Sequence, residues 1–172
     1  MHPTPSLTPL QRMLLGTDGT LTHILEAYAD EPIGVVKLLQ EYDTSKQADA
    51  RLELPEDAKV LRRRVLLRGR RTNQNLLYAE VVVVPERLNP VVLEGLLGTD
   101  KPIGTLRAET RAETFREILR MDREPAGPCS THFGIDPAAP VIVRTYRIVA
   151  HEQPIMLITE KFPADFFRGL PA

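Results

Sequence analysis

The sequence has few of the residues that cross-link small domains. Its one cysteine, Cys129, excludes an internal disulfide framework. Its four histidines do not suggest a metal site. No apolar run approaches the roughly 18 residues that a membrane-spanning helix needs, and no basic segment followed by an apolar one marks a signal peptide. We therefore expect a cytoplasmic protein with no membrane partner.

Neither sign of charge dominates the chain, since its formal net charge is -1. This balance argues against a protein whose main task is to bind nucleic acid or an anionic membrane. Six arginines do occur between residues 62 and 71, but no aromatic residues alternate with them. We interpret this run as a solvated strand face and turn rather than a nucleic-acid patch.

At 172 residues and 42% hydrophobic, the chain is long enough for one core. We expect a single domain over residues 1–172, in which the proline-rich residues 1–9 form a flexible tail. Apolar periodicity predicts a helix that begins at Asp18 or Thr20 and ends before Pro32, and a second helix over residues 91–97. A turn is expected at residues 101–104, and residues 124–140 are expected to form a long ordered loop.

Alternating apolar residues predict six strands, at residues 33–42, 59–69, 76–84, 114–122, 141–149 and 155–162. The fourth segment fits a helix over residues 108–121 nearly as well, and there we favour the strand. Consecutive strands with helices near the start and middle indicate an α+β fold. We expect one mainly antiparallel sheet of about six strands, with helices packed on one face.

Two charged residues interrupt the apolar alternation of predicted strands. Side chains alternate between the faces of a strand, so Arg63 shares a face with the apolar residues 61, 65 and 67. Glu160 likewise shares a face with the apolar residues 156, 158 and 162. An unpaired ion in an apolar interior costs several kcal/mol, so each should face a partner or a charged, hydroxylated ligand.

The residues alone leave the role of this pair open. Arg63 is either a buried structural arginine or a ligand for a planar carboxylate, which its fork of donors matches. Glu160 is either a satisfied core acid or a pocket acid that contacts a hydroxyl or moves a proton. An even number of residues in the last hairpin loop would put Arg147 on the face of Glu160, whereas an odd number would put Arg144 and Tyr146 there.

Five motifs along the chain resemble those of the chorismate pyruvate-lyases, in the divergent branch that makes 4-hydroxybenzoate outside the usual ubiquinone route. The resemblance runs from about residue 16 to residue 167 and is most specific in the last motif. The motifs are DGTLT at residues 18–22, RRVLL at 63–67, AE at 79–80, PIG at 102–104 and QPIMLITEKF at 153–162.

The resemblance implies a role for each matched residue. Arg63 would bind the ring carboxylate and Glu160 would contact the 4-hydroxyl group. Leu21 and Ile103, with the adjacent Gly104, match positions whose backbone helps to hold the ligand. Glu80 also falls at a substrate-binding position, but Ala79-Glu80 departs from the Gly-Arg of the ubiquinone-pathway branch, so a different group would bind the enolpyruvyl carboxylate. Arg147 is the candidate for that role.

The reaction implied by the resemblance is elimination of pyruvate from chorismate to give 4-hydroxybenzoate, without a cofactor or metal, in a protein that we expect to be a monomer. A second reading is a non-catalytic module that binds a small carboxylate, similar to the effector domains of GntR-type regulators. A third is a related lyase that gives another hydroxybenzoate. Fold alone does not distinguish these readings.

Overall fold

The computed structural model describes residues 7–17, 21–99 and 113–169. In this part of the chain, six strands form one antiparallel sheet in the order β1-β2-β3-β6-β5-β4, which confirms the expected α+β class. The strands are β1 (Ile33–Thr44), β2 (Lys59–Gly69), β3 (Asn75–Val83), β4 (Phe115–Pro125), β5 (Pro140–Ala150) and β6 (Gln153–Pro163).

The helices are short and fall between the strands or before the first of them. In the described ranges they are α1 (Pro9–Gly16), α2 (Leu21–Ala29), α3 (Pro90–Gly98) and α4 (Ser130–Phe133), with 3-10 turns at Pro85–Arg87, Gly127–Cys129 and Ala164–Phe167. The long loop expected over residues 124–140 therefore contains a 3-10 turn and a short helix. The helix caps expected at Asp18 or Thr20 and the turn at residues 101–104 lie outside the described residues.

Helix α1 is not among the helices predicted from the sequence. The Thr8 hydroxyl accepts a hydrogen bond from the backbone N–H of Gln11, and the Gln11 side chain accepts one from the N–H of Thr8. This capping box satisfies two donors that a helix N-terminus leaves free. Thr8 is therefore the N-cap and Pro9 the first residue of the helix, so the end of the flexible tail expected over residues 1–9 is ordered.

One face of the sheet carries the helices and two apolar clusters. The first cluster joins α1 and α2 to the sheet, and includes Leu14, Leu15, Leu25, Val65, Leu77, Ala79, Ile142, Phe162 and Phe167. The second joins α3 to the sheet, and includes Leu61, Val81, Val83, Val92, Leu96, Tyr146, Met156 and Ile158. The boundary between the two clusters crosses the middle of the sheet.

Among the described residues, the opposite face is covered at its two ends. One end packs against the segment around α4, and the other against the segment that precedes β2. Between these ends the surface is polar, and Arg64 and Glu80 are exposed there. The two faces of the sheet therefore differ in character: one buries helices, and the other presents charge to water.

The last hairpin decides which residues share a face with Glu160. Its turn has two residues, His151 and Glu152, with φ of 49° and 62°, as a tight hairpin turn requires. This even loop alone would put Arg147 on the face of Glu160. However, Ile155 forms a bulge that shifts the pairing by one residue, so Arg144 lies directly opposite Glu160.

Residues 115–125 form an edge strand, which confirms the strand interpretation of this segment. A second bulge, between Ile118 and Arg120, interrupts its alternation. On this strand Phe115 and Met121 are largely exposed, whereas Arg116 and Ile118 are partly buried. No helix in the described part of the chain is long and apolar enough to span a membrane.

Candidate functional site

The charged residues that interrupted the apolar pattern lie where the two apolar clusters of the helix-bearing face meet. Cross-strand neighbours form two rows there. The first row is Arg63, Val81, Ile158 and Tyr146, and the second is Val65, Ala79, Glu160 and Arg144. Arg63 and Glu160 therefore occupy adjacent rows on one face, separated by strand β3.

Arg63 is almost completely buried, with 2% of its surface exposed. It extends from β2 towards the end of α3, where its Nη1 donates a hydrogen bond of 3.5 Å to the carbonyl oxygen of Leu96. A cation is favourable there, because the last carbonyl groups of a helix carry partial negative charge. Helix α3 thus helps to hold the guanidinium above the centre of the sheet.

Arg144 contacts carbonyl groups at the end of α1, as Arg63 does at the end of α3, and it has no exposed surface. Its Nη1 lies 2.9–3.0 Å from the carbonyl oxygens of Leu14, Leu15 and Thr17. Its Nε donates to Oε2 of Glu160 at 2.5 Å. The guanidinium therefore connects the acid on β6 to the helix that covers it.

Glu160 accepts hydrogen bonds on both carboxylate oxygens. The Tyr146 hydroxyl donates to Oε1 at 2.9 Å, and Arg144 donates to Oε2. Burial of the Tyr146 phenol, and then the nearby charge of Glu160, raise the pKa of Tyr146 far above its usual value. The tyrosine therefore remains a donor, and the carboxylate keeps lone pairs that can accept a further hydrogen bond from a ligand hydroxyl.

A third arginine, Arg116 on β4, reaches the same region. Its Nη1 donates to the Thr17 carbonyl oxygen at 2.8 Å, and its guanidinium carbon lies 4.4 Å from the centre of the Tyr146 ring. The described residues of this face thus bring three guanidinium groups, Arg63, Arg116 and Arg144, together with one carboxylate, Glu160. Such an excess of positive charge suits an anionic ligand.

The structure does not bring Glu80 or Arg147 to this site. Glu80 is exposed on the opposite face, where it accepts a hydrogen bond of 2.7 Å from the Tyr78 hydroxyl. Arg147 is on that face too, and its Nε donates to Glu117 at 2.6 Å. The placement of both residues in the pocket is corrected: Glu80 is next to Ala79 and so alternates away from it, and the Ile155 bulge turns Arg147 outward.

The remaining predicted residues are only partly described. Leu21 is the first residue of α2, and its buried side chain packs in the cluster beneath α1 and α2. Ile103 and Gly104 lie outside the described residues. Sequence reasoning missed Arg116; the signal available was its two-residue spacing from Ile118, which puts both on one face of the strand.

The described residues of this face include no candidate metal centre. Within the three described ranges, no three histidine, cysteine or acidic side chains cluster in a way that could hold a metal ion. Cys129 and His132, which are close in sequence, lie in the segment that packs on the opposite face. Burial raises the pKa of the Cys129 thiol, which favours an inert thiol over a nucleophile.

The fold is similar to that of an effector domain, and the sequence is similar to proteins that are named as lyases. The effector domain of PhnF from Mycobacterium smegmatis superposes with a TM-score of 0.63 at 18% identity, covering 86% of this chain and 90% of that one. Proteins named chorismate pyruvate-lyase from Mycobacterium tuberculosis and Mycobacterium leprae are 28% and 30% identical. Each alignment covers 93% of this chain, and 82% and 77% of those proteins.

The model of the family described as "Chorismate pyruvate-lyase Rv2949c-like" matches residues 14–169. That range includes every strand of the described sheet and the four charged residues of the site, Arg63, Arg116, Arg144 and Glu160. The match therefore covers the complete site described above, and the chain belongs to the Rv2949c-like chorismate pyruvate-lyase family.

Proposed function

We propose that this protein eliminates pyruvate from chorismate and releases 4-hydroxybenzoate. The observation that carries the proposal is the position of Arg63 and Glu160, both buried on the helix-bearing face. Membership of the family supports the choice of substrate, since the relatives are named chorismate pyruvate-lyase. The carboxylate and hydroxyl group of the product match an arginine and a hydrogen-bond acceptor, respectively.

The spacing of these two residues suits the product. Strand spacing puts their Cα atoms about 12 Å apart. We infer that the ligand lies along this line, with its carboxylate towards Arg63 and its hydroxyl towards Glu160. Ala79 lies directly beside Glu160 on the strand between them, and its small side chain projects little from this face.

In this arrangement Arg63 pairs with the ring carboxylate, and Glu160 accepts a hydrogen bond from the hydroxyl on C4. The backbone of Leu21, at the start of α2, is the proposed contact that adds a favourable helix dipole to the carboxylate. The backbone of Ile103 and Gly104 remains a proposed contact. These groups hold the substrate in one orientation, which is the main requirement of the reaction.

The elimination balances without a cofactor. The C3–O ether bond breaks and its electron pair leaves on the enolpyruvate oxygen, while the C4–H bond breaks and its electrons complete the aromatic ring. The proton lost from C4 is matched by the proton that converts enolpyruvate to pyruvate. By anchoring the C4 hydroxyl, Glu160 orients the C4 hydrogen relative to the ether, and nearby cations stabilise the charge on the leaving oxygen.

The second candidate is a non-catalytic module that binds a small carboxylate. The likeness to the PhnF effector domain favours it, although a likeness at 18% identity concerns the fold alone. A lyase that gives a different hydroxybenzoate is the third. All three candidates would use the same buried cations, so only product analysis separates them.

The test is to incubate the purified protein with chorismate in the presence of EDTA, and to measure products by chromatography and pyruvate by a coupled dehydrogenase assay. We expect 4-hydroxybenzoate and pyruvate in equal amounts. Unchanged chorismate, together with calorimetric binding of 4-hydroxybenzoate, would instead support the binding module. Formation of 3-hydroxybenzoate would support the related lyase.

A further inference from the structure

We propose that Arg116 and Arg144 together bind the second carboxylate of the substrate, the one on the enolpyruvyl group. This inference rests on the proposed lyase function and extends it to the part of chorismate that leaves. Chorismate carries two carboxylates, whereas 4-hydroxybenzoate carries one. The site should therefore contain a second anion-binding group that the substrate uses and the aromatic product does not.

The two guanidinium groups are held close together by shared contacts. Both donate to the carbonyl oxygen of Thr17, Arg116 at 2.8 Å and Arg144 at 3.0 Å. Both also lie against the ring of Tyr146, with guanidinium carbons 4.4 Å and 5.0 Å from its centre. Their positions are therefore fixed by the loop after α1 and by an aromatic ring, as a preorganised anion site requires.

Each of the two arginines has a buried nitrogen with no acceptor among residues 7–17, 21–99 and 113–169. These nitrogens are Nη2 of Arg144 and Nε of Arg116. Arg144 has no exposed surface, so bulk water does not reach its Nη2 to accept a hydrogen bond. A buried donor on a charged group that lacks an acceptor is costly, and a ligand carboxylate with two oxygens would supply what both donors lack.

The positions of the charged residues support the same assignment. Among the described residues, Glu160 pairs with Arg144, and Arg116 adds a second guanidinium group beside them. Arg63 lies across β3 from Glu160, whereas Arg116 and Arg144 lie on β4 and β5, so the two carboxylates would bind at separate ends of the site.

This assignment replaces the sequence prediction that Arg147 binds the enolpyruvyl carboxylate. It also gives the pair a part in the reaction, because negative charge develops on the enolpyruvyl oxygen as the ether bond breaks. Two fixed cations beside that group would stabilise the leaving enolate more than the neutral ether. Arg144 therefore serves both Glu160 and the leaving group.

The test uses Arg116→Met and compares two ligands, chorismate and 4-hydroxybenzoate. We expect KM for chorismate to rise at least tenfold, while Kd for 4-hydroxybenzoate changes less than twofold. Arg116→Lys, which retains the positive charge, should restore part of the loss. The matched control is Arg120→Met on the same strand, since Arg120 is exposed and pairs with Asp122 and Glu124; both constants should remain at their wild-type values.

Equal weakening of both ligands by Arg116→Met would contradict the inference, because it would show a general effect on the fold. Unchanged KM and kcat would contradict it as well. Thermal unfolding of each variant checks that it is folded, and Arg116→Lys provides the comparison if the methionine variant is not. If the wild-type protein leaves chorismate unchanged, the proposed function fails, and the assignment of Arg116 and Arg144 to its leaving group fails with it.

Discussion

Arg144 and Glu160 form a buried ion pair in which each side chain balances the charge of the other. Arg144 also binds three carbonyl oxygens at the end of α1, and Glu160 also binds Tyr146. Removing one member of a buried pair leaves an uncompensated charge in a medium that solvates it poorly. The stability of the site therefore depends on the network as a unit.

Because the two side chains depend on each other, the effects of mutating them on the free energy of unfolding should not be additive. Arg144→Ala and Glu160→Ala should each lower the free energy of unfolding by about 3–5 kcal/mol. The double variant should cost clearly less than the two single costs combined, because it leaves no unpaired charge. Urea denaturation of the four proteins measures the coupling, and strictly additive costs would show that the pair is not buried in solution.

Arg63 makes a second prediction at this scale. Arg63→Met should weaken binding of 4-hydroxybenzoate by about 2–5 kcal/mol, because the ring carboxylate loses a desolvated partner. The control is Arg64→Met, whose side chain is exposed on the opposite face of the same strand. Calorimetry should show wild-type affinity for the control, and wild-type affinity for Arg63→Met would place the carboxylate elsewhere.

Alternation was sufficient to put Arg63 and Glu160 on one buried face, because a strand's two-residue period depends on local geometry alone. The same reasoning did not choose between Arg147 and Arg144, since the choice depends on a bulge at Ile155 that no sequence pattern marks. The family resemblance put Glu80 among the substrate-binding residues, although one branch of the family has a different residue at that position. The structure puts Glu80 on the opposite face of the sheet.

At the scale of elements, α1 has a larger role than its eight residues suggest. Leu14 and Leu15 are buried in the first apolar cluster, and the carbonyl groups of its last turn orient Arg144. A short isolated helix is marginal in water, so tertiary packing must supply its stability. The packing of α1 and the position of a site arginine are therefore linked.

The prediction for this helix compares two neighbouring residues. Leu14→Ala should lower the free energy of unfolding by about 3 kcal/mol, because Leu14 is fully buried and a cavity remains. Met13→Ala should change it by less than about 0.5 kcal/mol, since 63% of the Met13 surface is exposed. Similar effects of both changes in urea denaturation would show that α1 does not pack as described.

The strands were predictable to within a few residues, and the bounds of β2 match those observed. Strong alternation and clear turn residues explain this agreement. The segment over residues 124–140 was less predictable, because its prolines mask a short helix, α4, that depends on packing against β3 and β5. Helix α1 was missed because it is short and its capping box follows a proline-rich stretch.

For the molecule as a whole, the sheet separates a buried face that carries the site from a charged face that meets water. Each face contains a buried tyrosine, Tyr146 on the first and Tyr78 on the second. Burial, and then the hydrogen bond to Glu80, raise the pKa of Tyr78 to about 12. Folding therefore favours the protonated form of both phenols.

The consequence is a loss of stability at high pH. Between the usual tyrosine pKa near 10 and the raised value, the folded protein holds protons that the unfolded chain has released, so the free energy of unfolding falls as pH rises, by at most about 1.4 kcal/mol per pH unit for each tyrosine. Tyr78→Phe should flatten this decline between about pH 10 and 12, and Tyr42→Phe, at a largely exposed position, should not. Identical slopes for the wild type and Tyr78→Phe would contradict this account.

The most direct test of the central claim is a crystal structure of the protein with 4-hydroxybenzoate. The account predicts that the ligand lies on the helix-bearing face, above Ala79, with its carboxylate about 3 Å from the Arg63 guanidinium and its hydroxyl at the same distance from Glu160. A ligand bound on the opposite face, or one that contacts neither Arg63 nor Glu160, would contradict it.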